Sequence, residues 1–293
     1  MITSFRMRTA GFVTLLVYGL LLCACQQKES AAPPAEGKSE AQLETEYRTI
    51  LAEAGLFNGG VPTPPAQIEA QQYGQLLLLA ASHGSTEMLT RLLGARNDFT
   101  LNDRIDGRTL LHAAAAALHV SNSNLVLERG VDPNARDNLG RTALHLVVAL
   151  PQGEVLARLL LSRGAAVDIR DEQGMTPLLS SAPACVKLLA DKGADLSAQD
   201  KLGNSVLHWA VYRRGPDLAE RLIALGAPLD IQNSAGKTPL HNAVEQNDPP
   251  MAHLLMKAGA KADIADTAGM TPLQLAEKSG HRKLRQVFGL SQP

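Results

Sequence analysis

From about residue 73 onward, short apolar bursts alternate with polar interruptions, and the alternation keeps a constant step. Reading one step from Gly236, Thr238 stands where a helix N-cap is wanted, Pro239 suits a first helical turn, and Leu240 and Ala243 share one face. A second apolar run, Met251 to Leu255, follows a break at residues 247–250 and ends at Gly259, where a left-handed residue closes a helix. An extended tail at residues 260–264 then runs into a turn at residues 266–269. The pattern predicts a helical hairpin, a tail and a turn, repeated. Gly130, Gly164, Gly193 and Gly226 end the second helices of the other copies in the same way.

The repeat is counted by Gly107, Gly140, Gly174, Gly203, Gly236 and Gly269, spaced 33, 34, 29, 33 and 33 residues apart. Each copy buries its apolar face only against its neighbours, so the chain gains a core by stacking. Leu76 to Leu79, Ala80, Ala81, Gly84, Leu92 and Leu93 form a degenerate first copy. Leu273, Leu275 and Ala276, then Lys283 to Phe288, form the last, expected to act as a terminal cap. The copy opened by Gly174 is four residues short of 33, and Pro183 follows soon after its first-helix start, so that helix must be truncated. Either the stack bends or opens a recess there, or the deletion is absorbed in a loop, which is the plainer reading.

The glycines open one recurring phrase: Thr109-Leu-Leu-His112, Thr142-Ala-Leu-His145, Thr176-Pro-Leu-Leu179, Ser205-Val-Leu-His208, Thr238-Pro-Leu-His241 and Thr271-Pro-Leu-Gln274. The phrase resembles the Thr-Pro-Leu-His signature of ankyrin repeats, and the resemblance extends over the whole copy. It implies an all-α ankyrin-repeat solenoid of about seven helix-turn-helix units across residues 73–293. It also implies that the phrase histidines hold backbone groups of their own and neighbouring turns.

The N-terminus carries Arg6 and Arg8, an apolar stretch from Gly11 to Leu22, and then Cys23-Ala-Cys25. The stretch is too short to span a bilayer and suits a secretory signal. Leu22 and Ala24 before Cys25 resemble the lipobox of bacterial lipoproteins, which implies residues 1–24 as signal peptide and acylation of Cys25; Cys23 is less usual within that motif. Gln26, standing where inner-membrane retention typically uses Asp, implies the outer membrane and a periplasm-facing protein. Residues 25–40 are polar with Pro and Gly and read as a flexible tether. Residues 41–72 begin with an amphipathic helix on Leu43, Tyr47, Ile50, Leu51 and Leu56, expected to cap the first repeat, and continue through a Gly- and Pro-rich linker.

The chain has 28 basic and 29 acidic residues, and loss of Arg6 and Arg8 with the signal leaves 26 against 29, a net −3. That charge gives no reason to expect nucleic acid. With Cys25 acylated, Cys185 is the one remaining thiol, so no intramolecular disulfide forms, and its place among Val186, Leu188 and Leu189 points to an inert core residue. His112, His145, His208 and His241 form a ladder, but stacked helices lie about 8–10 Å apart while zinc ligands sit about 2 Å from one ion. No catalytic, phosphate-binding or paired metal-ligand motif occurs in the sequence, so no enzyme activity and no cofactor are expected.

The expected function is protein binding by a monomer. In ankyrin proteins, residues flanking the repeat glycine and near the end of the first helix contact partners. Carried over by alignment of the phrases, these are Asn138, Leu139 and Arg141; Lys201, Leu202 and Asn204; Ser234, Ala235 and Lys237; and, on first helices, Trp209, Tyr212, Arg213, Glu245 and Gln246. Trp209, Tyr212 and Arg213 are of the types enriched in binding hot spots; alternatively Trp209 fills space between helices beside the short unit. Two roles fit the family and the anchor: an immunity protein that inhibits a secreted antibacterial effector such as a phospholipase, or an envelope scaffold supporting a resident periplasmic enzyme.

Overall fold

The computed structural model describes residues 38–54, 64–96, 104–105 and 107–290. The signal peptide, Cys25 and most of the tether lie outside the described residues. The chain divides into two units, Met1–Ser39 and Glu40–Pro293, and every element below belongs to the second. Among the described residues there are fifteen α-helices. Helix α1 (Glu40–Glu53) precedes seven hairpins: α2 (Ala70–His83) with α3 (Thr86–Ala95), α4 (Leu110–Ala116) with α5 (Val120–Glu128), α6 (Ala143–Val148) with α7 (Glu154–Ser162), α8 (Pro177–Ser180) with α9 (Pro183–Asp191), α10 (Val206–Tyr212) with α11 (Pro216–Ala224), α12 (Pro239–Glu245) with α13 (Pro249–Lys257), and α14 (Pro272–Lys278) with α15 (Arg282–Val287).

The helices stack as two rows. First helices α2, α4, α6, α8, α10, α12 and α14 each pack on the next of their kind, and second helices α3 to α15 do the same. The core runs between the rows as a strip of Leu, Ala and Val, with Leu111, Leu144, Leu178, Leu207 and Leu240 repeated at one position of the first helix and all buried. Leu or Ala at the remaining inward positions keeps the rows close, which is why so few aromatic residues are needed.

Two kinds of glycine make the repeat possible. Gly193, at φ 86°, ends α9 in the left-handed region. Gly203, at φ 77°, turns the tip between repeats, and a Cβ there would come within 2.8 Å of the Ser234 backbone nitrogen in the next tip. Backbone bonds join successive tips: Glu172 N–H donates to the Leu139 carbonyl at 2.9 Å, Lys201 to Gln173 at 2.9 Å, Ser234 to Leu202 at 2.9 Å, and Thr267 to Ala235 at 3.1 Å.

Helix α1 packs against both helices of the first hairpin, and Leu56 of its expected apolar face lies outside the described residues. Leu43, Ile50 and Leu51 are buried in the common core, and the Glu46 carboxylate accepts from the backbone N–H and the hydroxyl of Ser85, the N-cap of α3. A carboxylate at that helix start complements both the unpaired N–H groups and the dipole.

The short repeat has the truncated first helix that Pro183 implied, and it corrects the reading of a deletion absorbed in a loop. Its deletion does not fall in a loop: α8 has 4 residues against 7 in α10, and 2 residues rather than 3 connect it to its partner helix, so three of the four missing residues come from the helix. Pro183 opens α9 and holds Ala182 extended, at ψ 156°, which stops α8 from continuing. Ala182 instead donates its N–H to the Val148 carbonyl at the end of α6, at 2.7 Å.

Candidate functional site

Three sets of contacts decide which side chains the tips and first helices spend on the stack and which they present. The first set is the phrase itself. In His112, His145, His208 and His241, Nδ1 accepts the N–H of the helix N-cap residue three positions earlier, at 3.0 to 3.3 Å, and lies 2.8 to 2.9 Å from that residue's hydroxyl. Because Nδ1 accepts, Nε2 carries the proton and donates forward, to the carbonyls of Arg141, Met175, Lys237 and Met270 at 2.8 to 3.1 Å. Each imidazole thus caps its own helix and stitches its repeat to the next. Burial lowers the pKa of all four, so the neutral form this geometry requires is also the one the site favours. In the short repeat Leu179 occupies the histidine position, and the stitch from repeat four to repeat five is missing.

The second set makes the tips. Asp137, Asp171, Asp200, Asn233 and Asp266, each three residues before the repeat glycine, accept two backbone N–H groups of the turn on Oδ1, at 2.8 to 3.1 Å. Burial would raise the Asp137 carboxyl, but the Arg141 guanidinium and the turn N–H groups hold it below the usual carboxylate range. The third set is a second ladder on the residue before. Arg136 donates to the Arg170 carbonyl, Arg170 to Gln199, Gln199 to Gln232 and Gln232 to Ala265, at 2.5 to 3.1 Å. The sequence reading missed both sets. Regular recurrence of Asp or Asn three before the glycine was a usable signal for the first, whereas a ladder that changes from Arg to Gln along the stack leaves no single-letter pattern.

Against these contacts, the expected partner-binding residues separate. Arg141 is half-buried and its Nε and Nη2 both donate to Asp137 Oδ2, at 2.9 and 2.8 Å. Asn204 is only 4% exposed, bonded to Asp200 and Asn233, so it builds the turn and presents no surface. Lys237 is half-buried, with Nζ 2.5 Å from Glu245. The Gln246 carbonyl accepts from Arg214 at 3.2 Å. Asn138, Lys201, Ser234 and Ala235 lie exposed at the tips, beside Leu139 at 41% and Leu202 at 67% exposure.

Trp209 combines the two roles left open for it. It is half-buried against the core, its Nε1–H donates to Asp200 Oδ2 at 3.0 Å, and Tyr212, 43% exposed, meets it edge-on at 5.8 Å between ring centres. The Arg213 guanidinium lies 5.7 Å from the indole centre and turns back over the short repeat, donating to the carbonyls of Leu179 and Ser181 at 3.1 Å each. Cys185 is fully buried in α9, and burial pushes its thiol up to about 11, which leaves it unreactive. Among the described residues, no cluster of three or more His, Cys, Asp or Glu side chains is placed to hold a metal ion.

Comparison with known proteins gives a consistent picture. The family model for ankyrin repeats (3 copies) matches residues 77–149, 122–200, 146–227 and 207–288. The chain is 30% identical over 205 residues to neurogenic locus notch homolog protein 1 of Xenopus laevis, covering 66% of this chain and 8% of that protein. It is 37% identical over 121 residues to the human protein of the same name, covering 40% of this chain and 5% of that one. The chain therefore spans a small fraction of the length of these relatives. The ankyrin repeat domain of Bcl-3, a unique member of the IkappaB protein family, superimposes with a TM-score of 0.64 at 27% identity, covering 73% of this chain and 97% of that domain. With the ankyrin-repeat family model matching across residues 77–288, the chain belongs to the ankyrin-repeat family.

Proposed function

We propose that this ankyrin-repeat protein-binding module is lipid-anchored through Cys25 at the bacterial outer membrane, facing the periplasm. There it acts as an immunity protein, inhibiting a secreted antibacterial effector such as a phospholipase. The binding part of this reading is carried by one observation: successive hydrogen-bonded tips hold Leu139, Glu172, Gln173, Lys201, Leu202 and Ser234 exposed. A tip backbone already fixed by main-chain bonds loses little entropy on binding, so a partner gains more from burying Leu139 and Leu202. The anchor rests on the lipobox resemblance around Cys25, and it would place an inhibitor where a lipid-degrading toxin acts. Stable attachment there requires the two or three acyl chains of a lipoprotein rather than one.

The test captures partners of the full chain from envelope extract and secreted material, identifies them by mass spectrometry and assays them bound and free. A single stoichiometric hydrolase that loses activity on binding supports immunity. Recovery of a resident envelope enzyme that stays active would replace it with the scaffold reading. Globomycin treatment or Cys25→Ser, followed by membrane fractionation, tests the anchor separately.

A further inference from the structure

We infer that Arg213 and Arg214 form a two-way clasp that substitutes for the histidine stitch missing from the short repeat and makes repeats four to six one rigid block. The observations lie on both sides of α10. Truncation of α8 leaves its last carbonyls without the helical N–H partners that a further turn would supply. The Arg213 side chain reaches 32 to 34 residues back in sequence to two of them, Ser181 and Leu179, placing a cation at the C-terminal end of a helix where the dipole favours it. The adjacent Arg214 reaches the opposite way, 32 residues forward, to the Gln246 carbonyl at the end of α12.

The turn between the two helices sets the directions of the pair. Arg214 sits at φ 50°, in the left-handed region. The same turn position is filled by Leu118 in repeat two at φ 55°, by Asn247 one repeat later and by Gly280 in the last, so the turn belongs to the repeat and Arg214 uses it. A bulky arginine held there sends its side chain toward repeat six while its neighbour faces repeat four. The missing stitch also leaves a visible vacancy. Asn204, whose carbonyl corresponds to those of Arg141 and Lys237, accepts the Asp200 N–H at 3.0 Å but has Leu179 where they receive an imidazole. Arg213 therefore belongs to the stack, and it braces the face on which Trp209 and Tyr212 stand.

The experiment is hydrogen exchange by mass spectrometry on the full chain carrying Arg213→Met, which keeps the apolar stem against Trp209 and removes the donors. Exchange of the Ser181, Ala182 and Cys185 amides is expected to quicken about tenfold, with repeats two and three unchanged. Adding Leu179→His to that variant is expected to restore protection, because the new imidazole can donate to Asn204. Arg214→Met is expected to loosen the Asn247 and Asp248 amides instead, and it serves as the test if Arg213→Met does not fold. Unchanged exchange in segment 177–190, an equal acceleration in every repeat, or loosening of that segment by Arg214→Met would each overturn the clasp.

Discussion

The joints between repeats four and five and between repeats five and six use the same backbone plan with different side-chain fastenings. At the later joint, His208 is buried, caps α10 through Ser205 and donates to Lys237, so a neutral imidazole fills both ends of its hydrogen-bonding capacity within a dry layer. At the earlier joint, Leu179 is equally buried but donates nothing, and the fastening moves to the surface, to Arg213. Both joints keep the tip bond and the outer ladder, through Lys201 to Gln173 and Arg170 to Gln199 in one and Ser234 to Leu202 and Gln199 to Gln232 in the other. The lesson is that an ankyrin joint is over-fastened. Losing one buried stitch is tolerated because three other contacts run parallel to it, but the replacement is more exposed and so worth less per bond.

The largest effect should come from His208→Ala, which strands a buried N–H and a buried carbonyl. About 2–4 kcal/mol of stability at the joint of repeats five and six should be lost, read by urea unfolding and local hydrogen exchange. A cost no greater than that of Arg213→Met would erase the distinction between the two joints. Next comes acid. The four stitch imidazoles have folded pKa values below the ordinary 6.5, so the unfolded chain takes up protons first. Their stabilisation is complete above about pH 6.5 and is lost as the pH falls from there through the folded-state values. Hydrogen exchange at pH 5 corrected for intrinsic rate should therefore loosen the His-stitched joints more than the one at Leu179; uniform loosening would assign the acid response elsewhere.

A smaller gain, of about 1 kcal/mol, is expected when Leu179→His is made in the otherwise native chain, measured as a rise in urea midpoint. No gain would mean that the clasp already supplies everything the stitch could. The smallest stability change belongs to Leu202→Asp at the tip, within about 0.5 kcal/mol, yet it should abolish partner capture if the tip row is the binding face. Retained capture would move the interface away from the tips.

Much of this was legible in the chain. The glycine period marked six copies and the apolar pattern a degenerate first, Thr or Ser two residues before a Leu marked six first-helix starts, and Pro183 announced the truncated α8, because local backbone preference dictates those features. The candidate face was legible only in part. Aligned positions located the tips correctly, but Arg141 and Asn204 turned inward. One-dimensional pattern cannot tell whether a polar residue beside a turn meets water or a carboxylate three or four residues away.

What the sequence by itself determined is the repeat, the helix ends and the histidine stitches, since each depends on groups within one repeat or at a constant offset. What only the tertiary structure decided is how the exception is held together. Arg213 and Arg214 look like any basic pair at a helix end, and their targets lie more than thirty residues away on either side. Those carbonyls come within reach only after stacking has brought three repeats side by side, and no local rule records a bond that stacking creates.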